Sequence, residues 1–439
     1  MKKLVCMLLV LALTLALCGT ALAYSKDEPI KIEFWHTRGS GANNAALVNL
    51  VNKFNESVGA EKGIEVVEVY QGDYTGVKTK VQLATTTGEQ PVIAIGGCAH
   101  YEQWLEDGLL ANMYPLAQET GFDINNLLDC FIGTPGMDVA NGEMYTMPYI
   151  RSVPVLYYNK TMADAKGLSL PMIPTIDEWL DFARALYEVD PATGEVKVYG
   201  TTILGNYSYI GTAFPRQLGY PLIADDCSGS PALESGALLK NLTDWRSWVD
   251  EGFYRPQDPT GTAPSLELFY QGKMGCLITS CGSMGNIVRQ MGAAGYELGV
   301  VCYPTYDINN NSTEIGGGQL CLIATGNTDE QIRAGWEFIE FFMTDEMVYE
   351  EAITSGYCPV TKSIRDYEPM KKFWEENPYY LAAYECLPWG VCQEFPTWPG
   401  LNDLNNSINA LYLSMIQEGT LTPEQTVEQF RLEIEGLFE

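Results

Sequence analysis

The sequence predicts an α/β protein of two lobes, each a mainly parallel sheet flanked by helices. Three observations predict it. Strand and helix patterns alternate through the first stretch beyond the leader. The chain has 439 residues, too long for one ordinary domain and comfortable for two. A nearly all-apolar run, Val153 to Tyr158, stands two fifths of the way along. Such a run reads as a strand buried on both faces, as in a parallel sheet. In the plainer reading it is the core of one large domain. In the sharper reading it carries the chain from one lobe into a second.

The elements follow in order. Ile30 to Trp35 alternates and reads as a strand, followed by the polar loop His36 to Gly41. Leu47, Leu50, Val51 and Phe54 recur at helical spacing. Ile64 to Tyr70 is a second strand, Val77 to Ala84 a helix, Pro91 to Ile95 a third strand, and Tyr101 to Leu105 a short helix. This β-α-β-α-β order implies parallel pairing, with ligands at the carboxyl ends of the strands. Those ends are His36 to Gly41, Gly72 to Tyr74 and Gly96 to His100. Asn141 to Glu143 reads as a hairpin-like turn into Met147 to Lys160. Thr175 to Glu178 is a capping box for a helix through Leu186. Leu238 to Val249 is helical, Lys273 to Thr279 a strand, and Ser280 to Ser283 four small residues opening a helix. Tyr296 to Tyr303 is a strand, and Ile315 to Gln319 is a glycine loop leading into another, Leu320 to Ala324. Ile332 to Met343 is a helix, Gly356 to Val360 a loop, and Thr422 to Gln425 caps the last helix.

Met1 to Ala23 has the form of an export signal: basic Lys2 and Lys3, an apolar core, and Ala21-Leu22-Ala23 before the cut. Cys18 offers a second route, a lipid anchor. No later apolar run is long enough to cross a membrane, so an exported chain is expected. Removing Lys2 and Lys3 takes the formal charge from −30 to −32. That disfavours nucleic acid and anionic lipid, which bind through Lys and Arg. Twelve cysteines less Cys6 and Cys18 leave ten, with no CxxC. Cys276, Cys302 and Cys321 lie in apolar runs, where cysteine serves as a small core residue. Cys386 and Cys392 flank a Pro-Trp-Gly turn and are candidates for a local bridge. His36 and His100 are the only histidines and are far apart, so no metal and no cofactor is expected.

No GxSxG, P-loop, HExxH or strand-following GxGxxG occurs. Aromatics stand beside predicted strand ends instead: Trp35, Tyr74, Tyr149, Tyr207, Tyr209 and Tyr357. An aromatic face stacks on the C–H face of a sugar, and arginine forks to its hydroxyls. Trp35, Tyr74, Tyr207 and Tyr357 are therefore candidate walls of a site, with Arg38 and Arg151 as polar clamps. Each aromatic has the alternative of an ordinary core position.

The motifs FWHTRGSG (Phe34 to Gly41), YQGDY (Tyr70 to Tyr74) and PVLYYNK (Pro154 to Lys160) resemble the family 1 extracellular solute-binding proteins of ABC importers. FYQGKMGCLITSCGS (Phe269 to Ser283), IGGGQL (Ile315 to Leu320) and SGYCPVT (Ser355 to Thr361) extend the resemblance along the chain, within the glycerol-3-phosphate-binding branch. It implies a type II periplasmic-binding-protein-like fold with a ligand cleft between the lobes. Lobe one is expected at 24–152 plus 295–344, and lobe two at 153–294 plus 345–439, after a signal peptide at 1–23. The contacts carried over are Tyr74, Ser152, Ser280, Gly317 and Tyr357. Two positions depart from the branch. Gly97-Cys98-Ala99 stands where the branch has a carboxylate, and no arginine occurs between Arg365 and Arg431, where the branch has its phosphate-binding one. The expectation is a monomeric, non-enzymatic receptor in the periplasm or on the outer face of the membrane. It would capture a small carbohydrate and deliver it to ABC permease subunits. Glycerol 3-phosphate or a glycerophosphodiester is the alternative ligand, and an exported glycan hydrolase the alternative class.

Overall fold

A computed structural model describes residues 28–39, 41–97, 100–134, 136–205, 208–224, 228–391 and 401–438. The signal segment, Cys18, Cys98, Tyr207 and Cys392 lie outside the described residues, and with them the cleavage, anchor and Cys386–Cys392 expectations. No helix among the described residues is long and apolar enough to cross a membrane.

The first sheet grows from strand–helix units. β1 (Ile30–His36) is followed by α1 (Gly41–Glu56), β2 (Ile64–Tyr70), α2 (Tyr74–Thr87), β3 (Ile93–Gly97) and α3 (Tyr101–Glu106). Asp73 starts α2 by accepting from the Gly76 N–H at 2.7 Å, and Gly88 ends it in the left-handed region at φ 80°. The chain then wanders to β4 (Met147–Ser152) and β5 (Pro154–Asn159). Among the described residues β4 pairs with β8 and not with a strand across Asn141 to Glu143, so no hairpin forms there. A 3-10 turn over Val139–Asn141 closes on Gly142 at φ 76° instead.

α4 (Ile176–Leu186) opens with the predicted capping box, in which Thr175 and Glu178 exchange both bonds. α5 (Ala237–Asp250), α6 (Ala263–Tyr270), β6 (Cys276–Ser280), α7 (Met284–Ala293) and β7 (Leu298–Cys302) follow. β8 (Gly316–Leu322) absorbs the glycine run, which is strand and not a loop before one. Then come α8 (Asp329–Phe342), α9 (Asp345–Ser355), α10 (Pro378–Cys386), α11 (Leu401–Ile416) and α12 (Pro423–Phe438).

The first sheet has the order β2-β1-β3-β8-β4. β2, β1 and β3 are parallel, and β8 runs antiparallel to both β3 and β4. The second sheet has the order β6-β5-β7, with β5 antiparallel to both neighbours. A mainly parallel second sheet is thus corrected. Burial of β5 on both faces needs cover on both sides, and that cover does not depend on strand direction. Val155 and Tyr157 face one core; Leu156 faces the other, with Trp179, Phe182 and Trp245.

A lobe boundary is expected near Gly295. β7 pairs with β5, and the chain rejoins the first sheet only at Gly316. An apolar strand between glycine turns carries no mark of which sheet it joins. α9 packs on α1 and on α7, so it touches elements associated with each sheet. The first core runs continuously from Phe34, Ile95 and Leu320 through Met347 and Ala352 to Val155, Leu277 and Cys302.

Candidate functional site

Tyr74 is the first residue of α2, at the carboxyl end of β2. Its ring lies against two glycines on adjacent strands. A Cβ on Gly97 would stand 3.0 Å from Tyr74 Cγ, and one on Gly318 would stand 3.0 Å from Cε1. A Cβ there would also stand 2.6 Å from His100 Nδ1 at Gly97 and 2.6 Å from Ile95 Cγ2 at Gly318, so any side chain at either position forces its neighbours to shift. His100 faces the same ring, with centroids 6.0 Å apart. Burial lowers the His100 pKa, helped by Lys78 and opposed by Asp73, so the imidazole is neutral near pH 7.

From Gly318 the site continues across the sheet. Gly317, at φ 93°, stands opposite Arg151, and Gly316 opposite Ser152. Arg151 is buried, donates to Gln319 Oε1 at 3.2 Å, and lies 5.5 Å from the Phe131 ring centroid. Ser152 leads directly through Val153 into β5, and Pro154 there pairs with Ser280. The Ser280 hydroxyl accepts from the Gly282 N–H at 3.2 Å, so it caps the turn that opens α7. Beyond it, a Cβ on Gly282 would stand 2.9 Å from the Tyr357 ring. Tyr357 follows Gly356, which ends α9 in the left-handed region at φ 84°.

Tyr74, Gly317, Arg151, Ser152, Ser280 and Tyr357 are therefore neighbours along one seam that runs from the first sheet to the second. Trp35 is not among them. It is 8 % exposed, packs under α2 with Val77, Val81 and Trp104, and donates to Glu33 Oε2 at 2.7 Å. Strand alternation explains this: Phe34 enters one core, so Trp35 must enter the other. Trp35 also borders a cavity of about 760 Å³ shared with Lys31, Glu33, Lys80, Gln90 and Gln331. That cavity is at the amino-terminal end of β1, the wrong end for a ligand of an open α/β sheet.

Arg38 lies beside the seam, but its charge is already engaged. Its guanidinium donates to both Glu351 oxygens, at 2.6 and 3.0 Å, and to the Asn43 carbonyl at 2.9 Å. It stands 5.2 Å from the Tyr149 ring centroid and 5.4 Å from that of Tyr357. Burial works against its charge, and Glu351 together with Tyr149 and Tyr357 more than offsets this, holding its pKa above the ordinary arginine value. Tyr149 donates to Glu351 Oε2 at 3.1 Å. Tyr149 and Tyr209, the remaining aromatics beside strand ends, are both buried.

Sequence reasoning missed Glu351, Gln319, His100 and Gly318. Glu351 had a signal. On α9 the buried residues are Met347, Val348, Glu351, Ala352 and Ser355, so a carboxylate falls on the apolar stripe. Its neighbour Glu350 pairs with Lys53 at the surface. Among the described residues no group of three or more His, Cys, Asp or Glu is placed to hold a metal.

The two sheets are joined by a rim of tyrosines, serines and strand glycines. The chain belongs to the bacterial extracellular solute-binding protein family, whose model matches residues 49–382. It is a solute-binding protein and not an enzyme, so the hydrolase alternative falls. The sn-glycerol-3-phosphate-binding periplasmic protein UgpB of Rhizobium meliloti is 25% identical over 374 residues, covering 81% of each chain. UgpB of Escherichia coli K12 is 25% identical over 379 residues, 84% of this chain and 82% of that one.

Two solved structures share the fold. UgpB of Mycobacterium tuberculosis in complex with glycerophosphocholine has a TM-score of 0.76 at 19% identity, covering 93% of this chain and 98% of that one. The maltose/maltodextrin-binding domain MalE of Bdellovibrio bacteriovorus, bound to maltotriose, has a TM-score of 0.72 at 17% identity, covering 93% and 100%.

Proposed function

We propose that this protein is the exported receptor of an ABC importer and captures a small neutral carbohydrate. It would act as a monomer in the periplasm or on the outer face of the membrane, free or anchored through Cys18, and pass its ligand to the permease subunits. Tyr74 and Tyr357 are the aromatic walls in this reading. Ser152, Ser280 and the backbone at Gly317 supply hydrogen bonds, and Arg151 with Gln319 a polar floor.

The observation that carries the neutral ligand is the Arg38–Glu351 pair. A phosphate is held best by a cation; Arg38, over the Tyr357 ring, is already paired with a buried carboxylate, and Arg151, the other arginine of the seam, donates to the neutral Gln319. The segment from Asp366 to Gln429 holds no arginine either. Losing a charge-assisted partner costs a phosphate about 1.5–3 kcal/mol, about ten- to hundredfold in affinity. Glycerol 3-phosphate or a glycerophosphodiester is the second reading, favoured by the relatives named for it.

The lobes would be organised around the two sheets, with chain crossings at Ser152–Val153 and between Cys302 and Gly316. Closure on ligand would shift a pre-existing open–closed equilibrium. A thermal-shift screen over mono- and oligosaccharides, polyols and glycerol phosphates tests the ligand class. A ligand at 100 times its dissociation constant stabilises by about 2.7 kcal/mol. The reading expects the largest shift from a neutral saccharide; the largest shift from a glycerol phosphate would replace it with the second.

A further inference from the structure

Cys281 and Cys358 are 77 positions apart in the chain, yet their sulfurs stand 3.5 Å apart. Both residues are buried. The backbone accounts for the approach. The Cys281 N–H donates to the Val153 carbonyl at 2.9 Å, and the Cys358 N–H to the Arg151 carbonyl at 2.8 Å. Carbonyls two residues apart on extended chain leave from the same edge, about 6.6 Å apart. Residues hung on two such carbonyls have α-carbons near the roughly 4.4–6.8 Å that a disulfide spans. Cys281 follows the last β6 residue, Ser280, which pairs with Pro154 of β5, and Cys358 makes an antiparallel bridge to Arg151. The two thiols therefore face each other across adjacent segments.

We propose that the exported protein carries a Cys281–Cys358 disulfide, closed while the chain folds. The family is extracellular, and disulfides form and persist in oxidising compartments. In the step, the two thiols lose two protons and two electrons and an S–S bond forms. The electrons reduce the disulfide of a thiol–disulfide oxidoreductase, or of oxidised glutathione, to two thiols. Closure precedes burial. In the finished fold Cys281 is 0 % and Cys358 4 % exposed, out of reach of an external disulfide.

The bond lies directly behind the candidate site. Ser280 and Gly282 flank Cys281, and Tyr357 precedes Cys358. The crosslink holds the Tyr357 ring against Gly282 and fixes the loop after α9 to the turn that opens α7. The Cys386 thiol meets that of Cys302 in the same buried region, so the partner of each cysteine must be identified directly.

The full chain, exported by its own signal, is unfolded without reductant in the presence of an alkylating agent, digested and analysed by mass spectrometry. The expected result is a linked peptide pair containing Cys281 and Cys358, absent when reduction precedes alkylation. Alkyl label on both cysteines without prior reduction would overturn the proposal. A bond from either one to Cys302, Cys386 or any other cysteine would overturn it equally. The wild-type chain suffices, so no variant has to fold.

Discussion

Removing the carboxylate of Glu351 is the perturbation that most directly probes how Arg38 is used. The two side chains are 3% and 7% exposed and share bonds of 2.6 and 3.0 Å. Glu351→Leu leaves a guanidinium in the interior without its anion. Breaking a buried pair from one side costs about 3–5 kcal/mol, because the remaining charge is uncompensated. Arg38 keeps its bond to the Asn43 carbonyl and its place between the Tyr149 and Tyr357 rings. Those contacts offset part of the loss, so the expected cost lies near the lower end, about 3 kcal/mol. Arg38→Met strands the carboxylate and should cost a similar amount. The double variant Arg38→Met/Glu351→Leu removes both charges and should recover to within about 1 kcal/mol of the wild type. Urea unfolding at pH 7 of all four proteins gives the coupling energy, expected at about 5 kcal/mol. Single variants that each lose less than about 1 kcal/mol, or a coupling indistinguishable from zero, would refute the reasoning. Arg38 would then be available to a ligand after all.

Other positions give sharper local tests. Tyr74→Ala should weaken ligand binding by about 1–3 kcal/mol in calorimetry while the free protein melts almost unchanged; an equal fall in stability would make the ring part of the core. Gly292 lies inside α7 with nothing within 4 Å of an added Cβ. Gly292→Ala should therefore stabilise by about 0.5–1 kcal/mol in the same urea titration, and a destabilisation would contradict the placement of that helix face. Glu102 is buried, and burial, with Glu106, raises its carboxyl pKa from 4.5 to about 7. The folded state thus holds the proton more tightly than the unfolded one. This stability is fully present below about pH 4.5 and lost as pH rises through 7. Melting followed from pH 4.5 to 8 should show a downward slope that Glu102→Gln flattens; an unchanged slope in the variant would assign it elsewhere.

The parts of the fold legible in the sequence are those set by local pattern. β1 to β3 alternate or run apolar between clear turns, and the capping box at Thr175 and Glu178 marks α4 without tertiary help. Direction and partnership of strands were not legible. Val153 to Tyr158 reads as doubly buried, and it is, yet the same residues serve an antiparallel centre as well as a parallel one. The glycines at 316–318 read as a loop because glycine disfavours strands; here Gly318 within β8 lets Ile95 and Tyr74 approach the backbone closely. Trp35 shows the cost of ignoring period two: one position along a strand moves a side chain to the opposite face. The Arg38 pair spans 313 positions and the cysteine pair 77, and no local pattern encodes either contact.

In the proposed function the seam from Tyr74 to Tyr357 takes a neutral polyhydroxylated solute. Isothermal titration of the purified exported protein with neutral mono- and oligosaccharides, and separately with glycerol 3-phosphate and glycerophosphocholine, tests it most directly. Saturable, micromolar or tighter binding of a neutral saccharide that Tyr74→Ala weakens is expected, with no saturable heat from either phosphate. Micromolar binding of glycerol 3-phosphate that is lost on Arg151→Ala would contradict it and place a phosphate clamp on β4.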